Sequence, residues 1–433
     1  MATSDPGPSP DTHYTRTGVS GGPRAFAEGV ITTDVAIVGG GLAGLSLARN
    51  LAAVGKAPVL LEAKSIAFGA SGRNGGFVTP GYACDHRAIE RKVGTDAAAE
   101  LFRLSLDGVD AVRARAESFD PREQVGLTDG ILSVRRLPGE DALRRHRDWL
   151  GGFGYETEYL DAKEVRARTC SPKYFDALRS DRAFHIHPLN YARALAREAQ
   201  SLGAEIYEDS PALGLHRTTD GHVITTPDAR IHAAQVVITT GGYTGHLLPA
   251  LKHAYVPVAT YVMATEPAPD LLSTAIRTSD GISDNRRANN YYRLVEARSR
   301  LLWGGAITVR DRDPAAITRY LRQELVETYP QLQGLGVEVS WSGWMSYARH
   351  RMPQIGQWSP GLWYATAFGG HGLNTTALAA QLIGEAITDG SDRWRLFAPW
   401  GLPWTGGPVG RVAAQATYRW LQWRDRQQEA AAR

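Results

Sequence analysis

The 433 residues exceed what one ordinary hydrophobic core supports and suit two intertwined domains. Hydrophobic residues at 43% and charged residues at 21% give the balance of a folded globular protein, and a net charge of +3 with scattered basic residues argues against a nucleic-acid partner. No run of about 18 apolar residues could span a membrane, and Cys84 and Cys170 alone cannot make a disulfide framework or a cysteine metal site.

Residues 1–29 are rich in Pro, Gly, Ser and Thr, without the apolar stretch of a secretory signal. They read as a flexible arm or an ordered surface wrap, and the protein as cytoplasmic. From Thr33 the run Asp34-Val35-Ala36-Ile37-Val38 suits a buried parallel strand. The turn Gly39-Gly40-Gly41-Leu42-Ala43-Gly44 follows, then a helical stretch with Leu45, Leu47, Ala48 and Leu51 that Gly55 ends. A second strand, Pro58-Val59-Leu60-Leu61, finishes at Glu62. In such a βαβ unit the first glycine permits the turn and the second lets backbone approach a pyrophosphate. The third lets helix pack on strand, and the acid accepts hydrogen bonds from a ribose. The unit predicts a dinucleotide with its phosphates at the helix N-terminus.

After Glu62, Ala63 and Lys64 comes Gly69-Ala70-Ser71-Gly72-Arg73-Asn74-Gly75-Gly76, small and polar enough for backbone to run beside a flat cofactor. Residues 86–184 carry two long polar helical patterns. Tyr191 to Leu202 reads as a helix, Ala204 to Tyr207 as a strand with Ala212 beyond it, and Gln235 to Thr239 as a buried strand closed by Gly241-Gly242. The alternating run Tyr255 to Val262 suits an antiparallel sheet. Leu362 to Thr366 is a strand, Gly369-Gly370-His371-Gly372 a glycine turn, and Asn374 to Ile387 a helix with Asn374 as N-cap. Amides there suit the charge that develops on the pyrimidine side of a reduced flavin. A nicotinamide enzyme has no need of a second such turn, so FAD is the expected cofactor. In the tail from Trp394, residues Ala413 to Arg424 look helical. The cofactor-binding candidates are Gly39, Gly41, Leu42, Ala43, Gly44, Glu62, Ala63, Lys64, Gly69, Ala70, Ser71, Arg73, Asn74, Gly75, Gly76, Ala212, Gly241, Gly369, Gly370, His371, Gly372, Asn374 and Thr375.

On these residues the chain resembles the D-amino-acid-oxidase-like flavoproteins, in particular their gamma-glutamylputrescine-oxidase-like branch. The matching stretches are Val35 to Gly44, Gly69 to Gly76, His187-Pro188-Leu189-Asn190-Tyr191-Ala192, Ala264-Thr265-Glu266-Pro267, Asn290-Tyr291-Tyr292-Arg293-Leu294, Arg351-Met352-Pro353-Gln354-Ile355-Gly356 and Gly370-His371-Gly372. The resemblance implies FAD, an interrupted domain arrangement and oxidation of a carbon–nitrogen bond. Where amino-acid-oxidising relatives place a carboxylate-binding arginine, this chain has Met345, which favours an amine over a simple α-amino acid. Phe77 stands where branch members often have Gln. With no Cys after Cys170 and no His between Ser65 and Tyr82, the flavin is expected to be non-covalent. In sarcosine-oxidase-type relatives a lysine on the strand resembling Leu301 to Gly305 assists oxygen. Here Trp303 takes its place and no lysine follows Lys252, leaving a protonated His371 or Arg73 as the substitute, or a poor reaction with oxygen.

The candidates at the reacting end are His371, Tyr291, Trp344 and His350, with Trp303 and Tyr347 as further aromatic walls or core. Arg286, Arg287 and Arg293 could hold an acid on the substrate or lie on a solvated edge. The fold is expected to be α/β: a Rossmann-like FAD domain from 30–90, 185–250 and 345–393, and an α+β substrate domain on a largely antiparallel sheet from 91–184 and 251–344. The arm is 1–29 and the tail 394–433. The expected reaction is hydride transfer from the carbon beside an uncharged amine nitrogen to flavin N5. An imine product follows, with molecular oxygen reduced to hydrogen peroxide. No metal is called for. The alternatives are an amine dehydrogenase or a tailoring enzyme using another acceptor, and, more remotely, a non-catalytic flavin-binding protein.

Overall fold

A computed structural model describes residues 10–286, 289–310 and 313–432; Arg287 lies outside them. Two sheets organise the chain. The first has eight strands, six of them in the order Gln354–Ser359, Leu362–Thr366, Ala229–Ile238, Gly29–Val38, Val59–Leu61, Glu205–Tyr207. All neighbours in that path are parallel except the outermost pair, Gln354–Ser359 with Leu362–Thr366. The central strand is apolar without alternation because both of its faces are covered. Val35 and Ile37 pack with helices Leu42–Ala53, Pro188–Ser201 and Gly372–Asp389, while Ala36 and Val38 pack with Ile224, Ile231 and Leu251 on the other face. The register Val38↔Leu61 and Val38↔Ile238 brings Gly39, Glu62 and Thr239 to one sheet edge, where a doubly wound fold binds its ligand.

The second sheet has nine strands. Its main path runs Val337–Ala348, Tyr255–Thr265, Arg300–Thr308, Tyr291–Val295, Gly281–Asp284, Thr128–Val134, Ala177–His185, Phe77–Val78, and Glu158–Leu160 pairs with Ala177–His185. Only Gly281–Asp284 with Thr128–Val134 is parallel. Alternation decides what each side meets. Tyr261, Met263, Tyr292, Leu301 and Trp303 pack under helix Pro314–Thr328, whereas Val262, Ala264, Leu302 and Trp341 join the core shared with the first sheet.

We propose the two-domain division on this sheet membership, with two adjustments. Strand Val337–Ala348 runs across residue 345, and Phe77–Val78 belongs to the second sheet despite lying within 30–90. The described part of the arm is an ordered wrap: Thr12 caps a short helix, His13–Thr17, and the fully buried Tyr14 hydroxyl accepts from Arg293 Nη2 at 3.3 Å. The central strand begins at Gly29, four residues before Thr33, because the Gly29–Thr33 segment pairs with Ala229–Ala233. The tail helix extends over Gly407–Ala431. Among the described residues, no helix is long and apolar enough to cross a membrane.

Candidate active site

The site begins where the central strand ends. Gly39 has φ +113, and a Cβ there would lie 2.9 Å from the Thr239 carbonyl oxygen. A Cβ on Gly41 would lie 2.9 Å from Ser71 Oγ, which accepts from the Leu42 N–H at 3.0 Å. A Cβ on Gly44 would collide with the Gly39 carbonyl, so this glycine serves helix packing. Gly41 gives helix Leu42–Ala53 no side-chain cap; Ser71 takes the Leu42 N–H, and the first-turn residues Leu42 and Ala43 line the cavity. Glu62 accepts from the N–H groups of Gly40 at 2.7 Å and Lys64 at 3.0 Å. Burial pushes its carboxyl above the usual carboxylate range, and those amides oppose the shift.

A cavity of about 1890 Å³ runs from this turn to the second glycine turn. Between them Asn74 folds the Gly69–Gly76 loop. Its Nδ2 donates to the carbonyls of Ala70 at 3.0 Å and Ser71 at 2.9 Å, and its Oδ1 accepts from Gly76 N at 2.8 Å. The Arg73 guanidinium lies 4.5 Å from the Phe68 ring centre and donates to Ser342 O at 3.4 Å. At the far end Gly369 and Gly370 have φ of +61 and +85, conformations that suit glycine, and Tyr347 packs over them. The Tyr347 hydroxyl is 2.7 Å and Met345 Sδ 3.9 Å from where a Gly370 Cβ would stand. Strand parity places Met345 and Tyr347 on the same side of Val337–Ala348. Tyr291 covers Gly75 and Gly304, and its hydroxyl bonds the Thr260 side chain. Burial raises the Tyr291 hydroxyl, and raises that of Tyr347 to about 12, so both stay protonated at neutral pH. The same burial lowers His371 to about 4 and leaves its imidazole neutral.

Most expected site residues line this one cavity, including Ala63, Lys64, Ala212, Gly241, Gly372, His371, Tyr291 and Trp344. Gly44, Gly76, Thr375 and His350 do not. A Gly76 Cβ would strike the Ile186 carbonyl. Thr375 turns into the helix and bonds the His371 carbonyl, while Thr376 faces the cavity. His350 accepts from Met352 N at 3.1 Å and also faces the Gly401 backbone, which makes it a loop-holding residue. The N-cap of helix Gly372–Asp389 is His371. Asn374 is in the first turn, buried, with its amide donating to Gly81 O and Ser105 O, both at 3.4 Å.

Trp303 points to the opposite face of its strand and stacks on Tyr292 with ring centres 4.3 Å apart. The neighbour on the cavity side is Gly304, under Tyr291. Arg293 is committed to the frame: Nε donates to Gly75 O and Nη2 to Ile186 O, each at 2.8 Å. Arg286 reaches the cavity but is paired with Asp284 at 3.2 Å and Glu324 at 2.7 Å. With His371 neutral, the cations along this part of the cavity are arginines, Arg73 beside the Gly69–Gly76 loop and Arg351 toward Tyr347. Sequence reasoning missed Thr239, Thr240, Tyr243 and Thr260 as lining residues. The first two could have been found, because they end a parallel strand beside Gly39.

The family described as FAD dependent oxidoreductase matches residues 34–386. Gamma-glutamylputrescine oxidoreductase of Escherichia coli (strain K12) is 34% identical over 386 residues, covering 88% of this chain and 89% of that protein. Glycine oxidase of Geobacillus kaustophilus is 25% identical over 392 residues, covering 87% and 98%. The crystal structure of glycine oxidase from Geobacillus kaustophilus superposes with a TM-score of 0.71 at 22% identity, covering 86% of this chain and 99% of that one, which shows the shared fold. The glycine cradle, the acid Glu62 that ends the βαβ unit and these matches converge: the chain belongs to the FAD-dependent oxidoreductase family typified by D-amino-acid oxidase, and its cofactor is FAD.

Proposed function

We propose that the protein oxidises a primary or secondary amine at the carbon beside nitrogen, with molecular oxygen as acceptor. The observation that carries this reading is Met345. Its thioether lies over the Gly369–Gly370 turn, at the position where the resemblance puts a carboxylate-binding arginine in amino-acid-oxidising relatives. Met345, Tyr347 and Tyr291 give the reacting end apolar and aromatic walls, while Trp344 lies on the other side of the strand against the core under helix Pro314–Thr328. Such walls disfavour an ammonium and hold the nitrogen in its neutral form, with the lone pair that the reaction needs. The protonated Tyr291 hydroxyl, bonded to Thr260, would orient the amine by accepting its N–H, which leaves the nitrogen lone pair free, and would not remove a proton.

FAD, when bound without a covalent link, supplies the hydride acceptor. Two electrons and two protons leave the amine; oxygen takes them up as hydrogen peroxide, and water splits the imine into an aldehyde and ammonia (from a primary amine) or a smaller amine (from a secondary one). Arg73 is the cation we assign to the oxygen step. A dehydrogenase is the second reading. Gly304 on the cavity side of Arg300–Thr308 favours it, since this strand offers no lysine there.

The test is a steady-state panel of N-substituted amines and D- and L-amino acids, with peroxide and aldehyde measured together. Amines turning over with equal yields of both support the oxidase. Turnover that needs an added quinone selects the dehydrogenase, and efficient turnover of glycine or alanine overturns the amine reading.

A further inference from the structure

The family match ends at residue 386, yet the cavity does not. Helix Gly407–Ala431 supplies part of its wall through Gly410, Ala414, Tyr418 and Leu421. The spacing of four, four and three puts these on one helical face. The opposite face is open: Val409, Val412, Trp420 and Trp423 are all more than half exposed.

The helix is pinned at both ends and in the middle. Just before it, Thr405 N donates to His253 O at 3.0 Å, at the end of the short helix Pro249–His253, and its hydroxyl to Tyr255 O at 3.3 Å, at the start of strand Tyr255–Thr265. In the middle, Gln415 accepts from Val309 N at 3.0 Å and Gln422 donates to the Tyr320 hydroxyl at 3.1 Å. At its end Glu429 stands 3.5 Å from Arg136 and 3.8 Å from Arg286. Arg136 is 3% exposed and Arg286 lines the cavity, so the last turn closes on a buried charge cluster that includes Asp284 and Glu324. Removing one carboxylate from such a cluster leaves cations undercompensated.

We infer that this C-terminal helix is the specificity-determining wall of the amine cavity, clasped shut through Glu429. Its small and apolar inner face, around Ala414 and Leu421, receives the distal part of an amine that carries an extended uncharged arm. The inference rests on the amine reading and adds the substrate's shape to it. Glu429 acts through Arg136 and Arg286 and is a positioning residue.

The experiment uses the full-length FAD-loaded enzyme and primary n-alkylamines of two and eight carbons. Ala414→Phe should raise KM for the eight-carbon amine at least tenfold and leave the two-carbon amine within about twofold. Trp423→Ser, on the outer face, should change neither. In Glu429→Gln, amide hydrogen exchange across 407–431 should quicken at least tenfold while kcat for the short amine holds. A KM unchanged in Ala414→Phe, or raised equally for both amines, overturns the wall. If neither amine reduces the flavin, the amine reading fails by itself. The wall is then judged by exchange, where unchanged protection in Glu429→Gln overturns it.

Discussion

The two ends of the cavity are built in opposite ways. The dinucleotide end is mostly backbone: Gly39, Gly41, the amides opening Leu42–Ala53, and one acid, all within 24 residues of chain. The reacting end is mostly side chain. Tyr291, Met345 and Tyr347 come from two strands, the glycine turn from another segment, and an outer wall from the last helix. Backbone cradles tolerate almost no variation, because any Cβ fills the space the ligand needs. Side-chain walls can change one residue at a time, which is how one fold serves many substrates.

The largest effect should come from breaking the cradle. Gly41→Val puts branched carbon beside Ser71 Oγ, where the cavity must stay open. Absorbance near 450 nm per mole of purified protein should fall at least tenfold. Wild-type-like flavin content would show that the cradle is not where the cofactor's phosphates lie. In the native protein, acid precipitation should release the yellow colour into the supernatant, and colour held in the pellet would contradict the non-covalent link.

Next comes a change at the other end. Met345→Arg should leave flavin content within about twofold but cut kcat/KM for amines at least tenfold, through a cation placed in an apolar wall. It should also raise the ratio of amino-acid to amine turnover. Equal flavin loss in this variant would erase the contrast between the two ends.

A smaller effect comes from the frame between them. His185 stands 3.1 Å from Arg293 Nη1, and His187 caps helix Pro188–Ser201 by accepting from Asn190 N. Burial lowers both imidazoles to about 3 from an ordinary 6.5. The unfolded chain therefore binds more protons than the folded one between those values. Their stabilising effect is complete above pH 6.5 and is lost as pH falls toward 3, at up to about 1.4 kcal/mol per pH unit for each ring. Thermal melts should show Tm falling steadily below pH 6.5, and the fall should weaken in His185→Gln. A flat Tm from pH 7 to 5 would contradict the burial of these rings.

How much of this was legible follows the same division. The βαβ unit could be read because its parts are contiguous and each glycine has a local reason. Trp303 misled because a strand alternates, and one position decides whether a ring meets the cavity or helix Pro314–Thr328. Asn374 reads as an N-cap by residue type, but the structure uses its amide to satisfy Gly81 and Ser105 carbonyls, and the helix starts earlier at Gly372. His350 is next to a cavity-lining arginine in sequence yet turns back to its own loop. The tail helix carried a helical pattern but no sign of which face would meet a cavity.

The central claim is that an amine, not a free α-amino acid, is oxidised at the Met345 end. Anaerobic stopped-flow mixing of the FAD-loaded enzyme with each substrate class follows the loss of 450 nm absorbance in a single turnover, independent of oxygen. Rapid bleaching by N-substituted or extended-chain amines, saturating with concentration, is expected, with bleaching at least a hundredfold slower by glycine and alanine. Fast bleaching by the amino acids, with amines inert, would contradict it.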